Sequence, residues 1–96
     1  MIISELNTNY KAILQLEEEL TKLGIEHELK RLFDGYILYY PSMENRVGDV
    51  IEHSGSYGHS KDLMEAYGFP ECGKDRIISC LTVEEALTLF KNAAGV

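Results

Sequence analysis

The sequence predicts one α+β domain, with helices packed on one face of a small antiparallel sheet of three to four strands. Three observations support this prediction: an apolar helical stripe near the start, strand-like segments joined by short turns, and a capped helix at the end. The expected order of elements is α-β-β-β-α-β-α. The 96 residues contain no repeat, low-complexity segment or Ser/Pro-rich linker, so we expect a single domain over residues 1–96.

The first predicted helix runs from Tyr10 to Leu23. Its apolar residues recur at near-heptad spacing and would form one stripe, made of Tyr10, Ile13, Leu16, Leu20 and Leu23. The three polar residues before it could accept hydrogen bonds from the free amides of the first turn: Asn7, Thr8 and Asn9. Gly24 suits the left-handed position that commonly follows a helix.

Three strand-like segments come next. Residues 25–33 mix apolar and charged side chains, as a partly exposed strand does, and Asp34-Gly35 is a favoured pair for a tight hairpin turn. The segment Tyr36 to Tyr40 is apolar on both faces and is predicted to be the central strand, which Pro41 ends. Residues 47–53 predict a third strand. The second apolar face of the central strand indicates that a partner or a second copy covers it, so we expect a homodimer.

The second half of the chain predicts a short helix, a short strand and a longer helix. Residues 61–67 place Leu63, Met64 and Tyr67 on one side of the short helix, which ends at Gly68. Residues 76–80 predict a fourth strand. Thr82-Val83-Glu84-Glu85 has the pattern of a capping box, and the helix that it opens ends near Gly95.

Composition and charge exclude several classes of protein. No run approaches 18 apolar residues, and the first five residues lack the basic and apolar regions of a secretory signal. Sixteen acidic and nine basic residues give a net charge of −7, which argues against binding nucleic acid or an anionic membrane through bulk charge. Two cysteines are too few for a disulfide framework, so we expect a cytoplasmic protein, with Cys80 in the core and Cys72 exposed.

A polar loop at residues 53–60 is the candidate site. It joins a predicted strand to a predicted helix and consists of His53, Ser54, Gly55, Ser56, Tyr57, Gly58, His59 and Ser60. Such a connection can direct backbone N–H groups at an anion, and Arg46 could join it from the preceding turn. Tyr57 offers a flat face for a contact. A protein-contact loop, a pocket for a phosphate-bearing small molecule and a purely structural turn all remain open.

Metal binding and catalysis have weaker support. The potential ligands His53, His59, Asp62, Cys72 and Cys80 lack the spacing of a structural zinc site, so we expect neither a metal nor a cofactor. A serine of the loop could pair with a histidine, but the Gly-x-Ser-x-Gly nucleophile motif is absent from the sequence. A small fold also offers little depth from which to exclude water. We therefore expect a protein that is not an enzyme, with a small hydrolase as the third alternative.

A resemblance to known proteins is carried by two segments of the chain, Gly48-Asp49-Val50-Ile51-Glu52-His53-Ser54-Gly55-Ser56-Tyr57-Gly58-His59 and Leu81-Thr82-Val83-Glu84-Glu85-Ala86. Both segments resemble small proteins of phages and prophages of Gram-positive bacteria. The shared feature is the Ser-Gly-Ser-Tyr-Gly loop, and the resemblance extends over the order of elements. It implies an acidic accessory protein of the bacterial cytoplasm that binds and inhibits a defence protein of the host. The alternative is a nucleotide-binding protein, or sponge, that uses the loop at residues 53–60.

Overall fold

The computed structural model describes residues 10–96 and contains two helices on one face of a five-stranded antiparallel sheet. The elements are α1 (Lys11–Leu23), β1 (Glu28–Leu32), β2 (Gly35–Tyr40), β3 (Gly48–Glu52), β4 (Met64–Tyr67), β5 (Ile77–Leu81) and α2 (Val83–Ala94). The strands lie in the order β1-β2-β3-β4-β5, and each is antiparallel to its neighbour. The α+β class is confirmed, with five strands where three to four were predicted.

The first helix forms as its apolar stripe predicts. Ile13, Leu16 and Leu20 are completely buried against the sheet and α2. The helix ends at Gly24, which has a φ of 70° and donates its N–H to carbonyl groups of the last turn, as expected. The predicted N-caps, Asn7, Thr8 and Asn9, lie outside the described residues. Carboxyl groups of two distant residues, Glu52 and Asp62, accept hydrogen bonds from two amides of the first turn.

The turn between β1 and β2 is displaced by one residue from the prediction. Leu32 pairs with Gly35, so Phe33 and Asp34 form the two-residue turn, and Phe33 has a φ of 53°. Gly35 is needed for a different reason, because a Cβ at this position would lie 1.9 Å from the carbonyl oxygen of Glu52. The glycine therefore allows β3 to approach the start of β2.

The helix predicted at residues 61–67 is wrong, because this segment forms a 3-10 turn at His59–Lys61 and then β4. Met64 and Ala66 are buried in the core, whereas Glu65 and Tyr67 face away from it, which is the two-residue period of a strand. Pairing with β3 on one side and β5 on the other overrides the apolar spacing that favoured a helix. The fourth predicted strand is present as β5.

The core lies between the two helices and the inner face of the sheet. The helix α2 begins at the predicted capping box, in which Thr82 and Glu85 exchange hydrogen bonds, and it buries Phe90 completely. Both cysteine predictions are wrong: Cys72 is buried, in the turn that leads to β5, whereas Cys80 is exposed. Cys80 has a φ of 59° in a strand whose pairing with β4 is irregular, so the alternation of inward and outward residues is interrupted there. Within residues 10–96 no helix is long and apolar enough to cross a membrane.

Candidate functional site

The β1–β2 turn and the loop after β3 meet at one end of the sheet, which we call the aromatic end and define by Phe33, Asp34, His53 and Tyr57. Asp34 joins the two segments, because its Oδ1 accepts a hydrogen bond from the N–H of Ser54 at 2.9 Å. Its Oδ2 accepts one from the Tyr10 hydroxyl at 2.7 Å. The backbone N–H of Ser54 and the Tyr10 hydroxyl lower the pKa of Asp34 to about 2. Asp34 is therefore ionised at neutral pH and holds the turn against the loop.

His53 and Ser56 give the loop its shape. The Ser56 hydroxyl accepts a hydrogen bond from the N–H of His53 at 3.0 Å and donates one to the carbonyl of the same residue at 2.9 Å. The N–H of Gly55 donates to Nδ1 of His53 at 2.9 Å, so this ring nitrogen acts as the acceptor. The predicted residues His53, Ser54, Gly55 and Ser56 are thus brought together, and they bond mainly to one another.

The amides expected to bind an external anion are largely used within the protein. The N–H groups of Ser54, Gly55 and Ser56 bond to Asp34, to the His53 ring and to the His53 carbonyl. The negatively charged group in this part of the loop is therefore the carboxylate of Asp34, at the Ser54 amide. An incoming phosphate would meet this charge and would find few free donors.

The end of the loop packs against β5. Gly58 has a φ of 92°, and a Cβ there would lie 2.9 Å from Cβ of Leu63 and 3.2 Å from Cα of Cys80. His59 and Ser60 follow in the 3-10 turn, where the N–H of Lys61 bonds to the carbonyl of Gly58 at 3.0 Å. The second glycine of the loop therefore has a packing reason that does not require a ligand.

Arg46 is not brought to the loop. It precedes β3 whereas the loop follows it, so the length of the strand separates them. Its Nη1 lies 3.5 Å from Oδ2 of Asp49, and its guanidinium carbon lies 5.8 Å from the centre of the Tyr39 ring. Arg46 belongs to the outer face of the sheet, the face opposite the helices.

Two aromatic side chains extend into solvent at the aromatic end. Phe33 is 80% exposed, and its ring contacts the His53 ring edge-on at a centroid distance of 5.2 Å. Tyr57 is 72% exposed. Phe33 also has a left-handed backbone, a conformation that costs a bulky residue about 1 kcal/mol or more and that glycine adopts freely. The aromatic end thus combines exposed apolar area with a strained backbone.

A buried carboxyl group lies directly behind the loop, at the start of α1. Glu52 is completely buried, and its Oε1 accepts a hydrogen bond from the N–H of Ile13 at 3.2 Å. Asp62 accepts one from the N–H of Ala12 at 3.0 Å and also lies within hydrogen-bonding range of Glu52. The Oε2 of Glu52 has no hydrogen-bond donor among residues 10–96. Burial and the neighbouring Asp62 raise the pKa of Glu52 to about 8, so Glu52 holds a proton at neutral pH and can donate it to Asp62.

Four residues of the site were not predicted as such from the sequence: Phe33, Asp34, Glu52 and Asp62. Asp34 was considered there only as a turn residue, and Asp62 only as a potential metal ligand. Glu52 had one usable signal: it follows Val50 by two residues in a predicted strand, so it shares the inward face with an apolar side chain. The other three become recognisable only when the turn, the loop and the start of α1 are brought together.

Within the described part of the chain, no group of three or more histidine, cysteine, aspartate or glutamate side chains is arranged to hold a metal ion. Comparison with protein-family models, curated proteins and solved structures finds no match to the chain. A functional proposal therefore depends on the geometry of the aromatic end.

Proposed function

We propose that the protein is a non-enzymatic binding protein that docks on another bacterial protein through the aromatic end. The observation that carries this proposal is Phe33, which is 80% exposed in a backbone conformation with a φ of 53°. Folding alone would favour glycine or asparagine at this turn position, because a bulky residue is strained there. Strained residues concentrate at functional sites, and exposed aromatic residues are frequent anchors of protein interfaces.

The hydrogen bonds around the site support a rigid contact surface. Asp34 ties the turn that presents Phe33 to the loop that presents Tyr57, through the N–H of Ser54. Ser56 closes that loop on the backbone of His53. A surface ordered before binding loses little conformational entropy when the partner arrives, and this improves affinity.

The partner that fits the resemblance is a bacterial defence protein, which the chain would inhibit by occupying its surface. The net charge of −7 supports a basic partner, because complementary charge increases the rate of encounter and makes it sensitive to salt. In this proposal the acidic surface attracts the partner, and Phe33 and Tyr57 provide the contact.

The alternatives have less support from the geometry. A phosphate-bearing ligand at the loop would be repelled by the ionised carboxylate of Asp34, and the amides of Ser54, Gly55 and Ser56 are already bonded. A hydrolase that used His53 as a base would have to give up the hydrogen bond from Gly55 to Nδ1.

The test begins by identifying the partner with a crosslinker placed at the site. The photoreactive amino acid p-benzoylphenylalanine would replace Tyr57 in a chain produced in a Gram-positive host, and the same amino acid at Thr88, on the exposed side of α2, is the matched control. We expect a protein that crosslinks at position 57 and not at position 88. No crosslinked protein, or equal crosslinking from both positions, would contradict docking through the aromatic end.

Affinity measurements with the captured protein then test the two anchors. Phe33→Asn suits the left-handed turn position, and Tyr57→Ser removes an exposed ring, so both variants should fold. Each should weaken binding about tenfold or more, as the loss of an interface anchor does. The control Lys74→Ala, in an exposed turn, should bind within about twofold of the unaltered chain. Unchanged affinity in both anchor variants would refute the proposal, and adding the chain to the partner's own activity assay would test inhibition.

A further inference from the structure

We propose that the outer face of the sheet packs against the same face of a second copy of this chain. The two copies would be related by a twofold axis that runs parallel to the strands, between β2 and β3. This surface is separate from the aromatic end, so the inference does not depend on the proposed function.

An apolar strip that no helix within residues 10–96 covers lies at the centre of this face. Ile37, which is only 8% exposed, and the half-buried Ile51 occupy its middle on neighbouring strands, while Tyr67 and Ile77, beside them, are 42% and 46% exposed. A cavity of about 290 Å³ opens there, between these four residues and the charged side chains of Arg46, Asp49 and Glu65. Both described helices pack on the opposite face. A second sheet packed at about 10 Å would cover the centre of the strip, Ile37, Ile51 and Tyr67.

The outer face is almost neutral, although the chain is strongly acidic. Among residues 10–96, two basic residues lie on it, Lys30 and Arg46, with three acidic residues, Glu28, Asp49 and Glu65. The described part of the face thus carries a charge of about −1, against a net charge of −7 for the chain. Two copies can approach through this face with little mutual repulsion, which favours a second copy as its partner.

The strand register makes one row of the outer face complementary to itself. Lys30 pairs with Ile37, Ile37 with Ile51, and Ile51 with Glu65, so the row reads positive, apolar, apolar, negative across β1 to β4. A twofold axis parallel to the strands, between Ile37 and Ile51, reverses this row in the second copy. Lys30 of each copy then faces Glu65 of the other, and Ile37 faces Ile51. An axis perpendicular to the strands would instead oppose Lys30 to Lys30 and Glu65 to Glu65, so charge selects the parallel axis.

The neighbouring row is compatible with the same axis. It contains Glu28, Tyr39, Asp49 and Tyr67 in register. After reversal, Glu28 faces Tyr67 and Tyr39 faces Asp49, so phenol hydroxyl groups meet carboxylates and no like charges are opposed. Arg46, whose guanidinium lies over the Tyr39 ring, would then also lie near Asp49 of the other copy.

A charge-swap experiment tests this arrangement. Sedimentation velocity would be measured from about 5 to 500 µM for the unaltered chain, for Lys30→Glu, for Glu65→Lys and for the double variant. Each single reversal turns both symmetry-related Lys30–Glu65 contacts into repulsions, so we expect at least tenfold weaker dimerisation. The double variant restores opposite charges across the axis and should dimerise within about threefold of the unaltered chain. The control Lys74→Glu makes the same change in net charge as Lys30→Glu at an exposed turn and should leave dimerisation unchanged.

Recovery in the double variant would support the twofold arrangement, because net charge and local stability cannot explain it. Circular dichroism spectra of all variants would establish that each one folds. An unaltered chain that remains monomeric at 500 µM would overturn the proposal and leave the face to a different protein. A dimer that neither reversal weakens, or a double variant as weak as the single ones, would overturn it as well, because the dimer would then use another surface or another axis.

Discussion

Replacing Glu52 by glutamine should stabilise the protein in neutral and mildly alkaline solution and should flatten the dependence of its stability on pH. Glutamine keeps an acceptor oxygen for the N–H of Ile13 and provides an N–H donor toward Asp62, so both contacts of the protonated carboxyl group survive. What the substitution removes is the possibility of a buried negative charge beside Asp62. The variant therefore isolates the protonation of a single group.

The sign of the effect follows from the raised pKa of Glu52, which burial and Asp62 bring to about 8 in the folded protein from an ordinary value of 4.5. Between these two values the folded chain holds a proton that the unfolded chain has lost, so stability falls as the pH rises. The fall is complete above about pH 8, where Glu52 is ionised in both states. At about 1.4 kcal/mol for each pH unit, this interval gives an upper limit of about 5 kcal/mol. We expect about 2–3 kcal/mol, because water and small movements of the chain relieve part of the cost.

The assay is urea unfolding followed by circular dichroism, for the unaltered chain and the Glu52→Gln variant, at pH 5, 6, 7, 8 and 9. The quantity of interest is the difference in the free energy of unfolding, since contributions from other titrating groups cancel in it. This difference should grow in favour of the variant from pH 5 to about pH 8 and then become constant. The control Glu44→Gln, at an exposed turn, should differ from the unaltered chain by less than about 0.5 kcal/mol throughout. A difference for Glu52→Gln that is the same at every pH would refute the reasoning.

Two further predictions concern the backbone and the thiols. Gly35→Ala should destabilise the protein by about 3 kcal/mol or more, because its Cβ would lie 1.9 Å from a carbonyl oxygen of β3. Urea unfolding checks this, with Gly95→Ala as a milder control: nothing lies within 4 Å of the Cβ there, and the left-handed φ of 73° costs alanine only about 1 kcal/mol. Equal losses in the two variants would contradict the prediction. In the folded protein a maleimide should label Cys80 quickly and Cys72 only on unfolding, because Cys72 is buried and its burial raises the thiol pKa. Peptide mapping distinguishes the two sites, and equally rapid labelling of both would show that the turn at Pro70–Cys72 opens readily.

The sequence determined the elements whose signals are local. The stripe of Ile13, Leu16 and Leu20 predicted α1, and Gly24 its end, because a helix buries residues at a spacing of three and four and commonly ends at a left-handed glycine. The capping box at Thr82 predicted the start of α2, since both of its hydrogen bonds form within one turn. The strand from Tyr36 to Tyr40 was identifiable by its composition alone. Its predicted central position is wrong, because β3 lies at the centre of the five-stranded sheet.

Only the tertiary structure determined which polar groups contact each other, because these contacts join residues that are far apart in the sequence. Residues 64–67 form a strand because β3 and β5 pair with them on both sides. Arg46 lies on the outer face, and the length of β3 separates it from the loop. The side chains of Asp34, Glu52 and Asp62 accept hydrogen bonds from backbone N–H groups that are 20 to 50 residues away in the sequence. The N–H groups of a loop or of a helix start donate to whichever acceptor the fold places there, and local sequence cannot specify an acceptor so distant. For this reason the Ser54 amide of the loop binds the carboxylate of Asp34, and not the external anion that was one of the three alternatives left open by the sequence.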